Sequence, residues 1–268
     1  MGMNNFSIDR FGKLVRWSLT MDRRWFVKNT LSWLVVFTLM FLFFTCVARF
    51  NSQPASLPAY GACTSMVLFT TGAILVLGPT MMFNSMRGKH DDQRLMTLPA
   101  SNLEKYLVRY SYWLLLLPSF VGSFVIADLL QYLVNWLSGH EGRMLVMQYL
   151  MSMDFNIVFP PSNVVPRSLI VCIVLTFVWL HSCYAVGATF FRSHKYSWIL
   201  TSVALIAFGI ILGSLWPHDE ISRSISSHTA ISLLRLWDVI YIFLIAFNYW
   251  LSYKFFCRQQ VIGKFVNL

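Results

Sequence analysis

Apolar residues in this chain fall into blocks of roughly 20, the length a helix needs to cross about 30 Å of hydrocarbon. Backbone polar groups inside lipid must be satisfied within their own segment, so each block is expected to be a helix. Six spans are read, at 30–49, 62–84, 106–137, 167–191, 196–216 and 236–257. The expected fold is all-α, with a polytopic membrane domain of six transmembrane helices over 30–257, a leading segment 1–29 and a tail 258–268. The third block is too long for one straight crossing and contains Pro118, so it should bend or run past the interface. Gly78-Pro79 predicts a kink late in the second.

Between the blocks, two polar stretches carry their own patterns. In 5–28, Ile8, Phe11, Leu14, Val15, Ser18 and Met21 recur at helical spacing, with Asp9, Arg10, Lys13, Arg16, Arg23 and Arg24 mainly on other faces. This predicts a basic amphipathic helix lying on the membrane surface; the plainer reading is a flank that only enforces topology. Residues 94–110, "RLMTLPASNLEKYLVRY", place a proline and a Ser-x-x-Glu between charged and aliphatic runs. Ser101 and Glu104 match a capping box, in which each side chain bonds the other residue's backbone N–H. Pro99 stops what precedes it, and "HDDQRLMTL" is long enough for two helical turns with Asp91 or Asp92 at the start. The stretch therefore predicts a short charged helix, a hard break and a capped transmembrane helix.

The outer connectors differ in length. Residues 138–166 hold an apolar middle, "MLVMQYLM", suited to lying along the interface, and 217–235 are polar. The four residues "RSHK" between the fourth and fifth spans make those helices antiparallel neighbours. Loops this short leave no room for a folded enzyme outside the membrane.

Composition sharpens this picture. Hydrophobic residues make up 57% of the chain and charged residues 12%, about half the charged share of a soluble domain. With the amino terminus inside, sixteen of the Lys and Arg residues fall on cytoplasmic segments; five (Arg49, Arg143, Arg167, Arg223 and Arg235) fall outside. That asymmetry predicts both termini in the cytoplasm, and it turns the net charge of +10 into a topology and headgroup signal rather than nucleic-acid binding. The expected location is the plasma (inner) membrane of a bacterium. The first 28 residues are charged and lack the apolar core of a cleavable leader. The five cysteines form no CxxC and read as packing residues.

Catalytic patterns are missing: the sequence holds no P-loop, no H-E-x-x-H and no G-x-S-x-G. His181 and Cys183 lie on different faces of one helix and cannot share a metal. His218, Asp219 and Glu220 are adjacent loop residues, better read as solvated than as ligands. The chain is expected not to be an enzyme, and to hold no metal and no cofactor of its own. Asp128 and Asp238 lie within spans, where a carboxylate is costly. They belong either to a substrate or proton path or to structural pairs with Arg235, Arg167 or a helix end.

"LPASNLEKYLVR", placed between the second and third spans, resembles the permease subunits of ATP-binding-cassette exporters of the type-2 permease family. The resemblance extends to the architecture: an amphipathic amino-terminal helix, six spans and both termini inside. It implies a coupling helix in the loop 85–105 that docks on a separate ATPase subunit, where ATP and Mg would bind, and a second permease copy. On this resemblance the contact would involve Arg87, Asp91, Asp92, Arg94, Leu95 and Leu98, with Pro99, Ser101 and Glu104 setting the angle to the third span. The chain departs from some relatives in 217–235, which has room for little more than one re-entrant helix. The expected function is export by alternating access. The rival readings are a membrane anchor or scaffold subunit and a secondary carrier, the latter disfavoured by the few buried charges.

Overall fold

The computed structural model describes residues 6–50, 56–86, 91–139, 143–153, 167–191, 196–214 and 227–258. Among them every regular element is a helix. They are α1 (Ile8–Met21), α2 (Arg23–Phe50), α3 (Ser56–Leu77), α4 (Asp91–Thr97), α5 (Asn102–Tyr110), α6 (Tyr112–Leu137), α7 (Val146–Ser152), α8 (Arg167–Phe190), α9 (Ser197–Ser214) and α10 (Ser227–Cys257).

Among the described residues, five segments are long and apolar enough to cross a membrane: Arg23–Val47, Pro58–Phe83, Asn102–Leu137, Arg167–Phe190 and Arg235–Cys257. The fifth expected span forms a shorter apolar helix, Ser197–Ile211. Their outward faces are apolar, as at Phe69, Ile210 and Phe243, which suits contact with lipid. Hydroxyls within the apolar helices turn back to the carbonyl four residues earlier, as Thr30, Thr71, Thr201 and Ser202 do, so these polar groups need no water.

Proline marks one of the two interruptions. Helix α3 ends at Leu77, and Gly78–Phe83 continue as a tighter 3-10 turn with Pro79 in its first positions, where a missing N–H costs least. In the third block the interruption falls at Ser111, between α5 and α6, whereas Pro118 sits inside α6.

The chain divides into two compact units. One comprises Arg16–Leu75 and Tyr112–Phe155. Its core is an aromatic ladder between α2 and α6: Trp33 meets Phe120, Phe37 meets Phe120 and Phe124, and Phe41 meets Phe124, with ring centroids 5.1–6.3 Å apart and mostly edge to face. Partner numbers rise together along both helices, so α2 and α6 run parallel. In lipid such contacts hold helices by close packing rather than by expulsion of water. Tyr60, Cys63 and Val67 of α3 complete this core. At one end the Tyr112 hydroxyl donates to the Asp22 carboxylate and lies 2.5 Å from the Ser18 hydroxyl, and its ring packs on Trp25 and Phe26.

The other unit comprises Met1–Val15, Val76–Ser111 and Asn156–Leu268. Here α8 packs on α10, on α9 and on the 3-10 turn. Asn248 donates to the Ser182 hydroxyl and Ser252 to the Ala185 carbonyl, so α8 and α10 run parallel. Gly187 approaches Thr201 and Tyr184 bonds Ser202, which makes α8 and α9 antiparallel, as the four-residue connector predicts. A Cβ on Gly187 would overlap the Thr201 side chain, so glycine permits this close approach.

Candidate functional site

The capping box forms as its spacing predicts. Ser101 is extended at φ −67° and ψ 154°; its hydroxyl accepts the Glu104 N–H at 3.2 Å, and Glu104 Oε2 accepts the Ser101 N–H at 2.8 Å. The carboxylate is fully buried, and its second oxygen is occupied as well. Oε1 accepts the Ser7 N–H at 2.8 Å and pairs with Arg10 Nη2 at 3.1 Å. Ser7 immediately precedes α1 and its carbonyl accepts the Phe11 N–H, so one carboxylate serves the first N–H of two helices. A carboxylate is acceptor-only, and both oxygens meet only donors here.

Next along the chain, Lys105 points the other way. Its Nζ donates to the Met96 carbonyl at 2.9 Å, near the end of α4, where helix carbonyls lack partners and a cation is favoured. Between the two, Leu98–Ala100 form a tight bend over Pro99, closed by a 2.8 Å bond from the Ala100 N–H to the Leu98 carbonyl. Glu104 and Lys105 thus fix the start of α5 to α1 and to α4.

The rest of α5 repeats this role. Arg109 donates to the Ser85 hydroxyl, just past the 3-10 turn, at 3.1 Å, and Tyr106 donates to Ser252 on α10 at 3.1 Å. The Tyr110 hydroxyl lies 2.7 Å from His181 Nε2 on α8 and 3.0 Å from the Tyr249 hydroxyl on α10. Each of these five side chains reaches a different backbone segment or a different place on it. Within this unit α5 is the common attachment point of α1, α4, the 3-10 turn, α8 and α10.

The expected coupling residues fall into distinct environments. Arg94 and Pro99 are exposed and Leu98 is half-buried in the bend. Leu95 is buried, so it anchors α4 to its own chain instead of offering a surface. Asp91 and Asp92 open α4, as expected from the backbone pattern; Arg87 lies outside the described residues. The sequence reading missed Ser7, Arg10 and the cap made by Lys105. Nothing local announces a contact across 94 or 97 positions.

Asp128 serves a helix end. Its Oδ1 accepts the Val146 N–H at 2.8 Å and its Oδ2 the Met147 N–H at 2.9 Å, the first two donors of α7. Gln131 donates to Oδ1 and to the Met144 carbonyl, Asn135 donates to Gln131, and the Met144 N–H donates to the Tyr60 hydroxyl. Asp238 is different: it is half-buried on α10, and its buried Oδ1 has no hydrogen-bond partner among the described residues.

His181 Nε2 lies 2.7 Å from the Tyr110 hydroxyl, and Cys183 Sγ lies 3.3 Å from Asn248 Nδ2. All five cysteines are free thiols. No cluster of three metal-ligating side chains occurs among the described residues. The adjacent His218, Asp219 and Glu220 lie outside them. No family model, curated protein or solved structure matches this chain.

Proposed function

We propose that this chain is the membrane-spanning permease subunit of an ATP-driven exporter, working as a pair of copies with a separate ATPase. In this reading it crosses a bacterial plasma membrane six times, with both termini cytoplasmic and α1 an amphipathic helix at the inner surface. The chain performs no covalent chemistry; ATP and Mg act on the partner.

The observation that supports this reading is the mounting of α4. It is a two-turn helix with an exposed arginine, set off by a hard bend and fastened through Lys105 to α5. Through Tyr106 and Tyr110, α5 is bonded in turn to α8 and α10. Force applied to α4 by a closing ATPase would therefore be delivered to the helices of this unit as rotation or translation of α5, switching the path between inward and outward access.

Arg94→Glu tests the docking step. It is expected to weaken ATPase binding while the chain is still recovered from the membrane, since Arg94 lies at an exposed position of α4. Glu104→Gln is expected to leave the ATPase bound but to reduce transport-coupled ATP hydrolysis. Unchanged binding for Arg94→Glu together with unchanged hydrolysis for Glu104→Gln would favour an anchor or scaffold subunit.

A further inference from the structure

The geometry points to a binding site for one anionic phospholipid on the outward face of α2, in the leaflet at that helix's amino-terminal end. A shallow, open hollow of about 810 Å³ lies there between side chains of α2 alone, with Arg23, Arg24 and Lys28 at its head and Leu31, Val35 and Val36 below. None of the three cations makes an ion pair or a side-chain hydrogen bond among the described residues, and all three are exposed. The protein-facing side of the same turns is already committed: Trp25 and Phe26 pack on Tyr112, and Trp33 on Phe120. The groove is therefore a second face with its own chemistry.

That chemistry fits a lipid better than a free anion. From Arg24 to Val36 the helix advances about 18 Å, close to the depth of a headgroup plus one leaflet's acyl chain. Three cations above an aliphatic stem complement a phosphate above a hydrocarbon chain. A soluble phosphate would leave Leu31, Val35 and Val36 unused. The inference needs only that the chain sits in a membrane, and it stands independently of the transport reading.

The test uses the full chain, purified in detergent with a mixture of phosphatidylglycerol and phosphatidylcholine and read by native mass spectrometry for retained lipid. Wild type is expected to retain phosphatidylglycerol preferentially, and added inorganic phosphate should not displace it. The variant Arg23→Gln/Arg24→Gln/Lys28→Gln should lose the preference, by roughly a hundredfold or about fivefold per basic side chain. Neutralising Lys13, Arg16 and Arg258, none of which lines the groove, removes as many charges and should leave the preference intact. Should the groove variant fail to fold, Val35→Trp fills the stem without touching a charge and should release the lipid. Equal loss in both charge variants, displacement by phosphate, or retention after Val35→Trp would overturn the site.

Discussion

Glu104 has two carboxylate oxygens serving three donors on two helices, and glutamine offers only one acceptor oxygen. From spacing alone Glu104→Gln is nearly silent, because glutamine also serves at the third position of a capping box. The contacts from Ser7 and Arg10 change that expectation. An amide turned to serve Ser101 presents its NH₂ to two donors, a mismatch that costs about 1–3 kcal/mol. The capping box was legible because it is local, its two residues three positions apart; the contacts to α1 were not, because no periodicity links positions 94 and 97 apart. The same logic separates the two intramembrane acids. Asp128→Asn leaves one of the α7 donors facing an amide NH₂, so hydrogen exchange at Val146 and Met147 is expected to rise as α7 loosens, with a loss of about 1–3 kcal/mol in stability. Unchanged exchange at both amides would reject the capping role and return Asp128 to a functional path.

At the scale of elements, the chain's punctuation located α4 and its bend because Pro99 and the Ser-x-x-Glu leave few alternatives. Gly78-Pro79, expected as a kink within the second span, falls where α3 gives way to the 3-10 turn, since Pro79 has no N–H for the hydrogen-bond ladder. The break at Ser111 carried no such mark, and Pro118, which did, lies within a continuous α6. Helix α1 also turns differently from its apolar pattern. Leu14 and Ser18 are buried, whereas Ile8 and Met21, assigned to the same face, are largely exposed. Hydrophobic spacing finds a face but cannot say whether protein or lipid covers it. Close helix approach leaves a clearer trace, and Gly187 tests it. Gly187→Ala would drive its Cβ into Thr201 and separate α8 from α9, with an expected cost of about 1–3 kcal/mol in detergent stability. Thr201→Ala in the same chain should restore part of that loss, as removing the hydroxyl and methyl relieves most of the overlap. A silent Gly187→Ala would contradict the α8–α9 packing.

For the whole molecule, blocks of apolar residues were enough to establish a helical, membrane-embedded chain, because length and composition alone satisfy the demands of lipid. They could not define the pairing of helices. The aromatic ladder joins α2 to α6 and a polar seam joins α8 to α10, each within its own unit, and both depend on residues far apart in the chain. Nor could they reveal that α5, a helix of only nine residues, collects attachments from the segments around it. The central claim is that α4 is the docking element and α5 its mount. The most direct measurement is affinity purification of the tagged chain from native membranes, intact and with residues 90–97 replaced by a Gly-Ser linker. The co-purifying protein is identified and its ATP hydrolysis assayed in both cases. The account predicts a P-loop ATPase with the intact chain and its loss with the linker, while the chain itself is recovered in equal yield. An ATPase held equally well by both, or none held by the intact chain, would contradict it.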